Sequence, residues 1–410
     1  MDDVLVVGAG PAGSVAATVL ARAGAKVRLV DRVSFPRDKL CGDTLNAGTL
    51  AILARLRLAS PVELRSRPLD GMMVTGEGGV AVEGRYPNGL HAIAISRRVM
   101  DEILLQEAIH AGVTFEPGIT VQGASVAGDR GERMVVGVTA SSRGSVHPWR
   151  ARVVVGADGR RSALAFGLGL AAHPAAPRRW AIGAYFEEPD AAATLGARPS
   201  HAPRAPRACS DFSDTLLGEM HIRRGRYIGV APLPGGVANV CLVKPSGPGD
   251  PDLRNPEAAL RRELGADPLL RDRYSTARLV RPAIVLGPVA VDAGGGAIDG
   301  LILAGDAAGF IDPMTGDGLR FAVRGGEMAA TAALDALEHG WTGVHARLTA
   351  ERRREFGAKW RFNLVLRTAV AWPVLVRAAA VGARVLPAAV RAMIEYAGDC
   401  GVARATMMES

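Results

Sequence analysis

Apolar runs that lead directly into glycine-rich turns are the main pattern of this chain. Val4–Val7 is entirely apolar, Gly8–Gly13 (GAGPAG) follows at once, and residues 14–23 continue as an apolar stretch rich in alanine. This order predicts a buried strand, a tight turn and a helix. A second apolar strand, Val27–Val30, ends at Asp31.

The same order returns late in the chain. Leu301–Ala304 is a short apolar strand, Gly305-Asp306 makes a turn, and Pro313–Gly318 is a glycine-rich loop that precedes a long helix of small residues. Such a unit points backbone N–H groups and the positive end of a helix dipole at an anion or an electron-rich ring. Asp306, beside that loop, can accept hydrogen bonds from sugar-like hydroxyls.

The middle of the chain alternates between strand and helix patterns. We predict a helix that Asp43 or Thr44 caps, and a second helix over 97–111 that Ser96 caps. Stretches with period two predict strands within 71–95 and over 119–127, 134–139, 152–155, 216–222, 226–231 and 237–243, the last three antiparallel. Residues 188–207 are rich in proline and alanine and have no period, which predicts a mobile loop or lid.

The last seventy residues carry alanine, leucine, valine and arginine at helical spacing, interrupted at Pro373 and Pro387. One interpretation is a set of helices that pack on the rest of the protein and present a wet basic face. The other is a surface that rests on anionic lipid, so that a lipid-soluble substrate can enter.

Composition narrows the class of protein. A chain of 410 residues is longer than a single hydrophobic core usually allows, so two lobes are expected. The apolar fraction of 48% and the charged fraction of 22% are typical of a globular protein, and the net charge of +8 comes mainly from scattered arginines. Because the cations do not cluster and aromatic residues are few, no nucleic-acid partner is expected.

The four cysteines, Cys41, Cys209, Cys241 and Cys400, are far apart and form no Cys-x-x-Cys pair. This spacing favours a reducing compartment and predicts neither a metal site nor a disulfide framework. The chain opens on a strand rather than a secretory signal, and no apolar run reaches the ~18–20 residues of a membrane span. A cytoplasmic protein is expected, with peripheral contact at the inner membrane face as an option.

Gly8, Gly10 and Gly13 between two strands, with Asp31 at the end of the second, form a dinucleotide-binding fingerprint. The glycines permit the turn, the approach of the backbone to a pyrophosphate, and close packing of helix on strand. Asp31 is placed to accept a hydrogen bond from a ribose hydroxyl.

Three ordered motifs together resemble one family. GAGPAG at Gly8–Gly13, GADGRRS at Gly156–Ser162 and GDAAG…DPMTGDG at Gly305–Gly318 resemble the FAD motifs of the para-hydroxybenzoate-hydroxylase-like flavoproteins. KLCGD (Lys39–Asp43) and DPMTGDGLRFAVRGGEMAA are most similar to the geranylgeranyl-reductase-like branch. The resemblance covers residues 1 to about 340.

This resemblance implies a two-lobed α/β fold and non-covalently bound FAD. The FAD-binding domain would comprise 1–175 and 280–340, the antiparallel-sheet substrate domain 176–280 with strands from about 60–95, and the C-terminal helical region 341–410. Arg97 would meet the phosphates or ribityl chain, Asp158 would brace the pyrophosphate region, and Asp306 would bind the ribityl hydroxyls. The implied cofactor-binding residues are Gly8, Gly10, Pro11, Ala12, Gly13, Asp31, Arg32, Cys41, Gly42, Arg97, Asp158, Gly305, Asp306, Pro313, Gly316, Gly318 and Leu319.

The substrate-lining phrase of that family has the form Tyr-x-Trp-x-Phe-Pro. Here Tyr227, Pro232 and the flanking pattern match, while Gly229 and Ala231 replace the two aromatic residues. The departure suggests a wider pocket, lined by Tyr227, Gly229, Ala231 and Pro232. Related flavin halogenases carry Trp-x-Trp-x-Ile-Pro, which this chain lacks, so halogenation is not expected.

The wider pocket favours a monooxygenase that hydroxylates or epoxidises a bulky hydrophobic polyketide- or isoprenoid-like substrate through a flavin hydroperoxide. The alternative is a reductase that saturates carbon–carbon double bonds of a prenyl chain, with Cys41 as a candidate proton donor. A third reading, a prenyl-protein-binding protein like the Rab escort proteins, is disfavoured by the intact Asp306 motif. No second nucleotide fingerprint is present, so electrons would come from NAD(P)H or a redox partner. The sequence does not specify the oligomeric state.

Overall fold

The structure is a computed structural model that describes residues 2–129, 133–142, 144–175, 178–188, 216–294, 296–312 and 314–409. In chain order its strands are Asp2–Val7 (β1), Val27–Asp31 (β2), Thr44–Leu45 (β3), Arg67–Leu69 (β4), Gly71–Thr75 (β5), Ala81–Arg85 (β6), Ala92–Ala94 (β7), Thr114–Pro117 (β8), Thr120–Ala127 (β9), Met134–Ser142 (β10), Ser145–Gly156 (β11), Ala171–Ala172 (β12), Arg179–Glu187 (β13), Leu217–Arg223 (β14), Arg226–Leu233 (β15), Val237–Pro245 (β16), Leu279–Leu286 (β17), Asp292–Ala293 (β18) and Leu301–Leu303 (β19).

The helices are Pro11–Arg22 (α1), Ala47–Arg55 (α2), Ala59–Glu63 (α3), Arg97–His110 (α4), Ala163–Gly167 (α5), Pro251–Arg254 (α6), Pro256–Ala266 (α7), Arg271–Tyr274 (α8), Gly318–His339 (α9), Val344–Ala371 (α10), Pro373–Val385 (α11), Pro387–Ala397 (α12) and Cys400–Glu409 (α13). Glu77–Gly79 and Gly305–Ala308 are short 3-10 helices.

The first sheet forms the lobe that carries the glycine-rich turns. Its strand order is β8-β2-β1-β11-β10-β9, and β19 pairs with β11. The pairings of β8, β2, β1, β11 and β19 are parallel, whereas β9, β10 and β11 are antiparallel. Parallel strands bring their carboxyl ends to one edge, so the turns after β1 and β19 lie together there.

Helices α1 and α9 pack side by side on this sheet because their small residues allow a close approach. A Cβ at Gly326 would overlap the backbone of Ala12, and one at Gly305 would lie 2.9 Å from the Ala12 side chain. The two helices and the sheet enclose a buried cluster that includes Val4, Val6, Ala16 and Leu20. This packing holds the first turn of α1 against α9 and the turn at Gly305.

The second sheet has the order β17-β13-β16-β15-β14-β5-β6. Ile182, Phe186, Ile228, Val240 and Leu242 face α6–α8 on one side. The opposite side faces the first lobe. Because alternate residues of a strand point to opposite faces, Tyr227, Gly229 and Ala231 share the side that faces the first lobe.

The predicted fold class, a two-lobed α/β protein with a Rossmann-like domain and C-terminal helices, is confirmed. The substrate sheet is not purely antiparallel, because β14 pairs in parallel with β5 at Leu217↔Gly71. Strand β5 lies more than 140 positions earlier in the chain, so no hairpin constrains its direction.

Two predicted helix starts were wrong. Helix α1 begins at Pro11 rather than residue 14, since proline suits the first helical position. Helix α2 is capped by Asn46, whose side chain accepts from the Thr49 N–H at 2.9 Å, and not by Asp43 or Thr44 as predicted. Asp43 is buried with a φ of +54°, and Thr44 belongs to β3.

Ser96 occupies the N-cap of α4 but its side chain makes no capping hydrogen bond. Pro373 and Pro387 are the first residues of α11 and α12, as the interruptions in the pattern predicted. The predicted lid over 188–207 lies outside the described residues from Pro189 onward. Among the described helices, none is long and apolar enough to span a bilayer.

Candidate active site

A cavity of about 290 Å³ lies between the two lobes and the C-terminal helices. Its walls come from the turns after β1 and β19, the segment 39–44, the inner face of the second sheet, and helices α9, α10 and α12. One end is cationic and the other is apolar.

The cationic end surrounds the N-terminus of α1. Gly10, Pro11 and Ala12 line the cavity, and a Cβ at Gly10 would lie 3.5 Å from Arg37 Nη2 and 3.9 Å from Arg97 Nη2. The N–H groups of the first turn have no partner within a helix, and the dipole adds positive potential. The arrangement is an anion site of the kind that binds a pyrophosphate.

Lys39, Arg97 and Arg160 also line this end. Burial lowers the pKa of Lys39 to about 8 and that of Arg160 to about 10, and the neighbouring Arg97 also depresses the Lys39 pKa. Among the described residues, the buried Nε atoms of Arg37 and Arg160 have no hydrogen-bond partner. Crowded, incompletely paired cations of this kind favour a bound polyanion, which would relieve their repulsion.

Arg97 is anchored rather than mobile. Its Nε and Nη2 donate to the two carboxylate oxygens of Asp101 at 2.6 and 2.7 Å, and Arg37 Nη2 lies 3.2 Å from the same carboxylate. Asp101 is fully buried. One carboxylate therefore orients two guanidinium groups beside Gly10.

Gly8 and Gly13 shape the turn instead of lining the cavity. Gly8 has a φ of +98°, and a Cβ there would overlap the Ala157 carbonyl group. A Cβ at Gly13 would overlap the Gly8 carbonyl oxygen. The turn thus packs between α1 and the end of β11 only because these two residues lack side chains.

Asp31 and Asp158 brace the same region through backbone N–H groups. Asp31 Oδ2 accepts from Ala9 N at 2.8 Å and Oδ1 from Val33 N at 3.1 Å. Asp158 Oδ2 accepts from Ala163 N at 2.8 Å, and its buried Oδ1 has no partner among the described residues. Neither carboxylate lines the cavity, and Arg32 is exposed beside Asp31. The predicted ribose and pyrophosphate contacts of these residues stay predictions.

The turn after β19 completes the cationic end. Gly305 has a φ of +59° and Asp306 lines the cavity in the 3-10 helix Gly305–Ala308. Gly316, Gly318 and Leu319 line the adjacent wall at the start of α9. The predicted Pro313 lies outside the described residues.

This set of residues fits FAD. The cations and the α1 N-terminus match the two phosphates, and Asp306 can accept from the hydroxyls of the ribityl chain. The N-terminus of α9 favours the negative charge of a reduced flavin ring. The unpartnered Arg37 and Arg160 nitrogens are the donors that a phosphate would satisfy.

The segment Cys41–Asp43 lies against the inner face of the second sheet. Asn239 Nδ2 donates to the Cys41 carbonyl at 2.7 Å, and the Tyr185 hydroxyl donates to Asp43 Oδ2 at 2.7 Å. Cys41 and Gly42 line the cavity. Burial raises the pKa of Asp43 to about 7, against the hydrogen bond from Tyr185 and the charge of Arg97.

The Arg97 guanidinium and the Asp43 backbone N–H lie close enough to the Cys41 thiol to influence its charge. Burial raises its pKa, while these two groups oppose the rise. The thiol is therefore protonated near neutral pH and has two donors beside it that would stabilise a thiolate.

The apolar end extends away from Cys41 between the second sheet and the C-terminal helices. Its walls include Met72 and Val74 of β5, Met220 and Ile222 of β14, and Met393 and Ile394 of α12. Tyr86, Phe362, Leu366 and Val390 complete it. A hydrophobic chain or ring system fits this part of the cavity.

Of the predicted pocket residues, only Gly229 lines the cavity. The Tyr227 hydroxyl donates to Asp312 Oδ1 at 2.6 Å, and the same oxygen accepts from the Met314 N–H at 3.1 Å. Ala231 is 2% exposed and packs in a cluster with Leu69 and Tyr86. Pro232 is buried beside it.

Replacement of Gly229 by tryptophan is expected to fill the apolar end. A Cβ at Gly229 meets nothing closer than Met220 Cε at 3.8 Å, so the side chain can project into the cavity. We expect Gly229→Trp to raise the KM for a bulky substrate by at least about tenfold while FAD stays bound and the melting temperature is kept, because only volume at the substrate end is lost. Steady-state kinetics and thermal melting measure both quantities.

Ala231→Phe is the matched control on the same face of β15. Ala231 is enclosed, so the larger ring is expected to overpack the cluster and cost roughly 1–3 kcal/mol of stability. An unchanged KM in Gly229→Trp would show that this residue does not border the substrate.

Sequence reasoning missed three cations at the cationic end of the cavity. Arg37, Lys39 and Arg160 are single positive residues in loops, and no motif singles them out from the other arginines. Lys39 lies in the KLCGD phrase and Arg160 in the GADGRRS phrase. Their positions inside these two motifs are the signal that could have identified them.

Comparison with known proteins gives the class of this site. A family model described as "FAD binding domain" matches residues 1–201. The myxobacterial chondrochloren halogenase has the same fold with a TM-score of 0.77, at 22% identity over 95% of this chain and 90% of that one. The fold and the site thus define an FAD-dependent oxidoreductase.

Curated relatives narrow the class further. The menaquinone reductase of Mycolicibacterium smegmatis is 31% identical over 80% of this chain and 75% of its own length. Digeranylgeranylglycerophospholipid reductase 1 of Methanopyrus kandleri is 30% identical over 82% of this chain and 81% of its own length. The chain belongs to the geranylgeranyl-reductase-like branch of the FAD-dependent oxidoreductases, a family of enzymes.

A longer relative also matches. Conditioned medium factor receptor 1 of Dictyostelium discoideum is 28% identical over 82% of this chain, which spans 64% of that protein.

Proposed function

We propose that this protein is an FAD-dependent reductase that saturates carbon–carbon double bonds in a hydrophobic, isoprenoid-like substrate. The observation that carries the proposal is one cavity in which a protonated thiol, Cys41, lies between an FAD-binding cationic end and a long apolar end. The reductases among the relatives at 30% identity or more support the same reaction class.

Saturation of a double bond needs a hydride at one carbon and a proton at the other. When bound, reduced FAD supplies the hydride, which carries both electrons. The Cys41 thiol donates the proton, so the π bond is replaced by two C–H bonds. The Arg97 guanidinium and the Asp43 N–H stabilise the thiolate that remains until it is reprotonated.

The apolar walls orient the substrate and exclude water. Met72, Met220 and Met393 are unbranched and flexible, and such side chains adapt to irregular hydrophobic ligands. The electron donor in this proposal is NAD(P)H that binds transiently or a redox partner, as the sequence predicted.

Oxygenation is the second candidate and stays a prediction. The sequence favours it because Gly229 and Ala231 replace two aromatic residues of the family phrase. Gly229 does open into the apolar end, and this observation favours a bulky substrate. Ala231 is buried against Leu69 and Tyr86 and does not line the cavity, so only one of the two replacements widens the pocket, and reduction is the first candidate.

The test is turnover with and without oxygen. When the protein carries chemically reduced FAD, geranylgeranyl lipids should reoxidise the flavin under argon, and the product should gain two hydrogen atoms. Mass spectrometry of the product and flavin absorbance measure both. A product that gains an oxygen atom, and forms only in air, would establish oxygenation instead.

A further inference from the structure

The C-terminal helices carry most of the exposed apolar side chains. Among the described residues, seven large apolar side chains are at least 60% exposed, and six of them lie between residues 365 and 386. They lie at the end of α10, at the junction between α10 and α11, along α11, and directly after it. We call these six residues the apolar platform: Val365, Trp372, Val374, Val381, Val385 and Leu386.

The charge around the platform has one sign. Residues 356–394 contain no aspartate or glutamate and six cations, of which Lys359 is buried and paired with Asp317 and Asp399. Arg361 and Arg384 are exposed, and Arg384 donates to the Gly78 carbonyl while Arg391 donates to the Glu83 carbonyl. These bonds hold α11 and α12 against the second sheet, so the platform faces outward on a supported surface.

We propose that the apolar platform docks on an anionic lipid bilayer. Valine, leucine and tryptophan side chains insert at the boundary of the acyl chains, and the arginines around them attract acidic headgroups. The same helices carry both the exposed apolar side chains and the exposed Arg361 and Arg384, which is the combination that an interfacial surface requires.

Residues close to the platform in the chain line the apolar end of the cavity. Met393 is 41% exposed and also lines the apolar end, and Leu366, next to Val365, lines it from α10. A substrate dissolved in the bilayer can therefore enter without crossing water. This entry route rests on the proposed function, whereas the docking surface does not.

A second copy of this chain fits the platform less well than a membrane. A two-fold symmetric contact would bring the same basic segment of both copies together, and like charges at an interface cost free energy. An acidic lipid surface has the opposite charge.

Co-sedimentation with lipid vesicles tests the docking. The FAD-loaded protein should bind vesicles of phosphatidylcholine with phosphatidylglycerol, bind vesicles of phosphatidylcholine alone more weakly, and lose affinity as salt rises. Trp372→Ala/Val374→Ser/Val385→Ser should reduce partitioning at least about tenfold, because three inserted side chains are lost. Leu64→Ser/Val146→Ser, which are 72% and 53% exposed outside the platform, should bind as the parent does.

No substrate is present in this assay, so its outcome is independent of the reaction. Equal partitioning of the triple variant and the parent would overturn the proposal. So would a lack of vesicle binding together with a concentration-dependent dimer that the triple variant abolishes in light scattering, since the platform would then be an interface between copies.

Discussion

Lys359→Met is expected to lower the free energy of unfolding by about 3–5 kcal/mol, the range found when one partner of a buried ion pair is removed. Lys359 is 4% exposed and its Nζ lies 3.3 Å from Asp317 Oδ1 and 3.1 Å from Asp399 Oδ1. It also donates to the carbonyls of Tyr396 and Ala397 at 2.5 and 3.0 Å. Methionine keeps the volume but satisfies none of these acceptors. Urea unfolding measures the change.

The loss should depend on pH with a defined sign. Burial raises the pKa of Asp399, and the charge of Lys359 is the first of the groups that oppose this rise. Without Lys359 the pKa rises further above its unfolded value, so the stability that protonation supplies is present at low pH and is lost as pH rises through the folded pKa. The difference in free energy of unfolding between the parent and Lys359→Met should therefore become smaller as the pH falls from about 7 to about 5.

Arg361→Met is the control, because Arg361 is exposed two positions further along the same helix. It should change stability by less than about 0.5 kcal/mol. A Lys359→Met protein as stable as the parent at neutral pH would contradict the account of a buried ionic cluster.

Cys41→Ser is expected to slow formation of the reduced product by about 10²-fold or more, the usual contribution of a positioned general acid. Serine keeps the shape, but its hydroxyl is a much weaker acid than the thiol. Reduction of FAD by the electron donor should be unchanged, because that step needs no proton from Cys41. Stopped-flow absorbance separates the two half-reactions. If oxygenation is the reaction, oxygen uptake should instead stay close to that of the parent.

Cys241→Ser provides the matched comparison in the same cavity. Burial raises the pKa of Cys241 to about 12, with further increases from Cys41 and Asp43, so it is a poor proton donor. Its replacement should reduce the rate by less than about tenfold. A large loss in Cys241→Ser with normal turnover in Cys41→Ser would move the donor to β16.

The parts of the fold that short-range patterns encode were predictable. Gly8–Gly13 and Gly305–Asp306 were recognised because each combines an apolar strand with glycines that a tight turn requires. Strands β14, β15 and β16 followed from alternation. The cap at Asn46 was missed because Asp43 and Thr44 are equally good capping residues and stand first in the chain.

Long-range placement was not predictable. Alternation correctly puts Tyr227, Gly229 and Ala231 on one face, but it does not say what each meets across the interface. The Tyr227 hydroxyl donates to Asp312, Ala231 packs in the cluster that contains Tyr86, and of these three residues only Gly229 lines the cavity. Likewise nothing local to Arg37 or Arg160 shows that tertiary packing brings Arg37 to Gly10 and Arg160 close to Asp306.

The buried cluster around Lys359 also joins distant parts of the chain. Asn46 Nδ2 donates to the Ala397 carbonyl at 3.1 Å, and the Gly48 N–H donates to the Gly398 carbonyl at 3.3 Å. Asp317, in the loop beside the flavin site, accepts from Asn363 Nδ2 at 3.1 Å. During synthesis, the Gly-rich turn and α1 leave the ribosome early, but the wall that Asp399 secures can form only after residue 399 has emerged. The cavity can therefore close only long after the Gly-rich turn and α1 have been synthesised.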